Sequence, residues 1–366
     1  MPDFKISILG GTGGPFEHST QCFMIRPVRK EDSLDSICID GGVGLGSIAR
    51  MLQYNPENRT VDDFYGDETA AGQPVEKYMD EKLLPNIVKG FPKTLHNRLN
   101  GNIAQKAMNI YQHIGEYYIT HPHMDHIAGM IINSPVIFEP AVLSKKQILG
   151  LPFTIESMEK YIFNDIIWPQ LSSNLLGRLE LKSLLDQEVH ISETIPEWDI
   201  VPFKVYHGSK VADKNIDVSS SVYIITNNIT NNTILICGDL ETDHTGPNER
   251  KLLDQVWTYL AENVKLENLK AIIIECSNSA SVDERRLFGH LSSNKLLDEL
   301  QTLRNKYNNP QGLSNLHVII SHVKMVYEDK DPRLIILEEL RTLGNKRSGL
   351  ENITFSVAVQ GYTFII

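Results

Sequence analysis

The run His121-Pro122-His123-Met124-Asp125-His126 constrains this chain more than any other feature, because three imidazoles and one carboxylate fall within six consecutive residues. It follows the apolar, aromatic stretch Tyr117-Tyr118-Ile119-Thr120, which reads as a buried strand. On an extended chain His121 and His123 point to one side, two residues apart. Asp125 and His126 then fall at the start of a helix, where the chain turns and offers donors from a second direction. Burying several polar rings without partners is costly, so the cluster predicts ligation rather than packing. Neutral imidazole suits zinc and neighbouring first-row ions, and carboxylate adds a hard oxygen donor. One zinc takes only about four ligands, so a cluster this rich, joined by donors from elsewhere, predicts two ions. A two-metal site predicts hydrolysis.

Three more donors follow apolar strands. His207 comes after Phe203-Lys204-Val205-Tyr206, Asp239 after Ile234-Leu235-Ile236-Cys237-Gly238, and His322 after Val318-Ile319-Ile320-Ser321. In layered α/β folds such strand ends converge on clefts. Each alone reads as structural; beside the 121–126 run they supply the missing ligands.

Short β-branched runs predict strands over 5–9, 22–25, 36–40, 117–120, 200–206, 222–226, 233–237, 271–275 and 317–321. The Asn-rich segment 227–232 predicts a hairpin between two of them. Helical periodicity covers 44–53, 75–88, 103–113, 155–163, 249–262, 294–306 and 333–343. Early strands paired by hairpins and later strands separated by helices predict an α/β or α+β layered fold. The stretch 55–115 and a second region at about 150–185 read as helical insertions over a site or at an interface.

At 366 residues the chain is long enough for one large domain or two ordinary ones, with 41% hydrophobic and 22% charged content typical of globular proteins. A net charge of -11 and the lack of a basic stripe or arm argue against a nucleic-acid partner. A small anionic substrate needs only local positive charge, which metal ions supply. The first ten residues lack the pattern of a secretory signal and no apolar run matches a membrane span, so a cytoplasmic protein without membrane partners is expected. Cys22, Cys38, Cys237 and Cys276 are far apart in apolar runs and read as reduced core residues. Oligomeric state is left open.

The ordered set His121, His123, Asp125, His126, His207, Asp239 and His322 resembles the metallo-β-lactamase superfamily. Within it, the run from His121 to Pro135 is similar to the motif of class II cyclic-nucleotide phosphodiesterases, typified by the fungal low-affinity cyclic-AMP enzyme. Ile8-Leu9-Gly10-Gly11-Thr12-Gly13-Gly14-Pro15, Phe163-Asn164-Asp165-Ile166-Ile167-Trp168-Pro169 and Gly289-His290-Leu291-Ser292 extend the resemblance. Met124 stands where that motif usually has Leu, a near volume match that leaves the ligands untouched. The resemblance implies a single αββα-sandwich catalytic domain over residues 1–366, with the helical segments as insertions.

It also implies a division of ligands. His121, His123 and His207 would hold one ion, Asp125, His126 and His322 the other, and Asp239 would bridge them. Zinc is expected, with manganese or iron as alternatives. The implied reaction is attack of a metal-activated hydroxide on a 3′,5′-cyclic nucleotide, cyclic AMP with cyclic GMP as a further candidate, giving the 5′-monophosphate and damping signalling. Asp125 would handle the hydroxide proton, and His290 would bind phosphate or protonate the leaving oxygen; a cap on the helix starting near residue 292 is the plainer role for His290. A tRNA 3′-processing-type endoribonuclease and a non-catalytic scaffold are the competing readings. Gly10–Gly14 reads as a tight turn, Lys324 as a solvated lysine, and Phe163 and Trp168 as core. His18, His96, His113, His190, His244 and His317 show no partner pattern and read as structural.

Overall fold

Strands whose residues are apolar almost without interruption are buried on both faces, and Leu269–Glu275, Thr233–Cys237 and His317–Ser321 are of this kind. They lie in a computed structural model that describes residues 2–28, 33–62, 64–66, 72–138, 145–172, 178–213, 215–244 and 251–366. The chain gathers into two compact units. The first comprises Met1–Arg59, Asn86–Pro202 and Val359–Ile366, the second Thr60–Pro85 and Phe203–Ala358.

The first unit is built on an eight-stranded mixed sheet in the order Ile87–Lys89, Tyr362–Ile365, Phe4–Gly10, Cys22–Pro27, Ser36–Ile39, Ile114–Tyr118, Lys146–Gly150 and Leu179–Ser183. The last four run parallel. Helices Leu45–Met51, Ile103–Gln112, Met124–Asn133 and Pro152–Tyr161 bury Ile48, Ile110, Ile127 and Met158 in one core cluster. Asn102 and Gln105 cap the start of Ile103–Gln112 reciprocally, which satisfies two end amides of that helix. Phe163 and Trp168 belong to this core as expected, with Trp168 Nε1 donating to Ser134 Oγ at 3.0 Å.

In the second unit, Asp217–Asn227 and Thr233–Cys237 form the expected antiparallel hairpin. Thr233–Cys237, Leu269–Glu275, His317–Ser321 and Thr354–Val357 are parallel neighbours, so their C-terminal ends lie along one sheet edge. Helices Leu252–Asn263, Ser293–Tyr307 and Pro332–Gly344 bury Trp257, Leu300 and Ile336. The mixed α/β architecture matches the expectation, as do six of the seven helix positions in outline, although residues 249–250 lie outside the described residues.

Residues 75–88 do not form the expected helix. They form two short 3-10 turns, Val75–Lys77 and Leu84–Asn86, and then enter the strand Ile87–Lys89. Pro85 removes a helix donor and disfavours helical backbone before it, so the periodicity there is overridden. The region 150–185 holds one helix, Pro152–Tyr161, and then the strand Leu179–Ser183; residues 173–177 lie outside the described residues. Gly10–Gly14 opens a long excursion rather than a tight turn: Gly11 and Thr12 N–H both donate to the Ser19 carbonyl before the chain returns at Cys22. All four cysteines are buried and none is in a disulfide. No helix among the described residues is long and apolar enough to cross a membrane.

Candidate metal centre

In the first unit, the strand Ile114–Tyr118 lies between parallel neighbours and delivers the chain through Ile119 and Thr120 to His121. Helix Met124–Asn133 then begins with His123 at its N-cap and Asp125 in its first turn, where the helix dipole favours negative charge. His121 and His126 are fully buried, Asp125 is half-buried and His123 is exposed. The His121 ring stands 4.4 Å from that of His123 and 4.1 Å from that of His126. His126 Nε2 is 3.8 Å from Asp125 Oδ2. The expected cluster is therefore assembled within this unit.

Asp40 organises it. His126 Nδ1 donates to Asp40 Oδ2 at 2.7 Å, Thr120 N–H to Oδ1 at 2.8 Å, Thr120 Oγ1 to Oδ2 at 3.0 Å and Gln21 Nε2 to Oδ2 at 2.9 Å. The Thr120 hydroxyl spends its one proton on Asp40, so it accepts from His121 Nδ1, 3.1 Å away. Both buried rings thus carry their proton on Nδ1 and present the Nε2 lone pair. Asp40 was missed at the sequence level, although it shares with Asp239 the position just past an apolar strand.

In the second unit, His207 lies in the strand Trp198–Ser209, Asp239 just past Thr233–Cys237, and His322 directly after His317–Ser321. His322 Nε2 is 3.1 Å from Asp239 Oδ1, and His207 Nε2 is 3.6 Å from Asp239 Oδ2. His207 Nδ1 lies 2.8 Å from the Gly289 carbonyl, which can only accept, so the ring proton is on Nδ1. His322 Nδ1 is 3.2 Å from Ser277 Oγ, whose proton goes to the Glu275 carboxylate or the His322 carbonyl, which again places the ring proton on Nδ1. Histidines held in this tautomer, together with carboxylates, fit a zinc-type ion.

His290 is not the helix cap. Ser292 occupies that position before Ser293–Tyr307, and His290 Nδ1 instead lies 2.9 Å from Glu275 Oε1. Its ring is 4.9 Å from that of His207 and stacks on that of His322 at 5.3 Å. Burial pulls the His290 pKa down, but the Glu275 and Asp239 carboxylates outweigh burial, and the net shift is upward. Glu275, also missed at the sequence level, is fully buried and further accepts from Ser277 N–H and Leu240 N–H. It is a strand-end carboxylate hidden in an apolar run, without a motif of its own.

Known proteins resemble this chain along its whole length. The family of class-II cAMP phosphodiesterases matches residues 38–361. The chain is 42% identical to 3′,5′-cyclic-nucleotide phosphodiesterase 1 of Saccharomyces cerevisiae over the whole of both chains. It is 27% identical to the 3′,5′-cyclic-nucleotide phosphodiesterase of Schizosaccharomyces pombe, over 98% of this chain and 92% of that one. The crystal structure of unliganded yeast PDE1 superposes over both full chains with a TM-score of 0.93 at 42% identity. A metallo-β-lactamase fold protein, YhfI of Bacillus subtilis, is 12% identical, with a TM-score of 0.53 over 99% of each chain. The fold is the metallo-β-lactamase fold, as the motifs implied.

Proposed function

We propose, for a chain that belongs to the class-II cAMP phosphodiesterases and hydrolyses 3′,5′-cyclic nucleotides, that the reaction is carried by a two-metal centre. His121, His123 and His207 would hold one ion, and Asp125, His126 and His322 the other, with Asp239 shared. The observation that carries this reading is at Asp239. Its two carboxylate oxygens face different histidines, and each meets an Nε2 lone pair, at 3.1 Å and 3.6 Å. Such facing lone pairs would be stabilised by cations, and two of them on one carboxylate suit a residue shared between two ions.

Two bound divalent ions would supply positive charge against the phosphoryl oxygens and ease ionisation of a water. Asp125 takes the proton of the attacking water. His290 gives its Nε2 proton to the departing 3′ oxygen, while Glu275 holds the ring through Nδ1. The product is the nucleoside 5′-monophosphate. The donor set suits zinc, and its carboxylates also accommodate manganese or iron. We extend the substrates to cyclic GMP and place the enzyme in the cytoplasm, where it would damp cyclic-nucleotide signals. The endoribonuclease and scaffold readings are not favoured, since the phosphodiesterase family match spans residues 38–361 and every expected ligand is present.

Elemental analysis beside steady-state hydrolysis of both cyclic nucleotides tests this. Two ions per chain, falling in His322→Ala with loss of turnover, is the expected result. A single ion per chain, or unchanged stoichiometry in the variant, sinks the two-metal assignment.

A further inference from the structure

We propose that Phe288 is the platform on which the substrate's nucleobase stacks. Residues 287–290 make a tight turn in which His290 N–H donates to the Leu287 carbonyl at 3.1 Å. Both central residues have positive φ, +52° at Phe288 and +84° at Gly289. This is the type I′ pattern, whose first central position favours Asn, Asp or Gly because a bulky side chain crowds left-handed backbone. Phe288 accepts that strain and gains little by burial, since it is 70% exposed. Folding alone gives no reason for an aromatic there, and a strained residue of this kind points to a function.

The turn cannot relax by shifting away. The Gly289 carbonyl holds His207 Nδ1 at 2.8 Å, and a Cβ at Gly289 would lie 2.8 Å from the His207 main chain. Phe288 is therefore carried on the loop that orients His207 and, two residues on, presents His290 among the histidines around Asp239. A cyclic nucleotide has a flat purine joined through its ribose to the reacting phosphate. Stacking on an aromatic ring uses the face that every base has, so this contact would accept adenine and guanine alike. The inference rests on reading 207, 239, 290 and 322 as the reacting end.

Phe288→Asn removes the ring and suits the turn; Phe288→Trp keeps an aromatic. Both are compared with the unaltered enzyme by cyclic AMP kinetics, inhibition by AMP and by ribose 5-phosphate, and thermal melting. We expect Phe288→Asn to melt higher, to raise KM for cyclic AMP roughly tenfold with the loss carried by KM rather than kcat, and to weaken AMP but not ribose 5-phosphate. Phe288→Trp should restore KM. Unchanged KM and AMP inhibition, equal weakening of both inhibitors, or an unaltered enzyme that binds AMP no better than ribose 5-phosphate would overturn the platform. Failure of the unaltered enzyme to hydrolyse cyclic AMP would instead overturn the activity on which it rests.

Discussion

Asp125 stands at the helix start with its side chain 30% exposed, close to His126 but open enough to meet a proton from solvent. Asparagine keeps its shape while removing charge and basicity. Asp125→Asn should therefore lower kcat by about 10²–10⁴-fold with an unchanged circular dichroism spectrum, and near-normal turnover would exclude Asp125 from proton handling. Lys146 is a different buried charge. Its Nζ donates to the Tyr111 and Ile114 carbonyls at 2.7 Å and 2.6 Å, yet burial pulls its pKa from 10.5 to about 7, with Cys38 acting weakly the other way. Between those values the unfolded chain binds more protons, so this residue makes stability rise with pH from about 7 towards 10.5 and adds nothing to the slope below 7. The change in denaturant midpoint from pH 7 to pH 9 should be less upward in Lys146→Met than in the unaltered protein; an equal change would refute the assignment. The candidate metal donors could be picked out residue by residue because each follows a readable strand. Asp40 and Glu275 were not, because their roles exist only once folding brings Gln21, Thr120 and His126 to the one and Leu240, Ser277 and His290 to the other.

The element that carries Asp125 and His126 is pressed onto the backbone of residues 41–44. Gly41 N–H donates to the His126 carbonyl at 2.6 Å, Gly129 N–H to the Gly42 carbonyl at 2.9 Å and Met130 N–H to the Gly41 carbonyl at 2.8 Å. A Cβ on Gly42 would stand 2.0 Å from the Asp125 carbonyl oxygen, so only glycine fits there. Gly46 lies in the neighbouring helix Leu45–Met51 with nothing within 4 Å of the equivalent position. Alanine should act oppositely at the two sites. Gly42→Ala should lose about 1–3 kcal/mol together with metal content, and Gly46→Ala should gain about 0.5–1 kcal/mol. Urea melts and metal analysis read both, and a neutral Gly42→Ala would show that the helix seat is not fixed. Helices with a full apolar stripe were legible from periodicity. Ile87–Lys89, Thr354–Val357 and Tyr362–Ile365 were not, because runs this short carry too few alternations to separate strand from loop.

Across the whole molecule, ions held only by the folded chain would add to its stability. Chelation should abolish hydrolysis and lower the melting temperature; an unchanged melting temperature would show that no ion stabilises the folded chain. The superfamily architecture was legible because the motif residues that carry the resemblance are spread in order from 121 to 322. The closure of the first unit was not, since it depends on the final strand, Tyr362–Ile365, pairing with Phe4–Gly10. That pairing bears on synthesis. While a ribosome is still making the chain, strand Phe4–Gly10 can pair with Cys22–Pro27 on one side, but its other side waits until residue 365 has emerged. Nascent chains stalled before that point would carry an apolar strand with an open edge, the form most prone to pair with another chain and most in need of a chaperone.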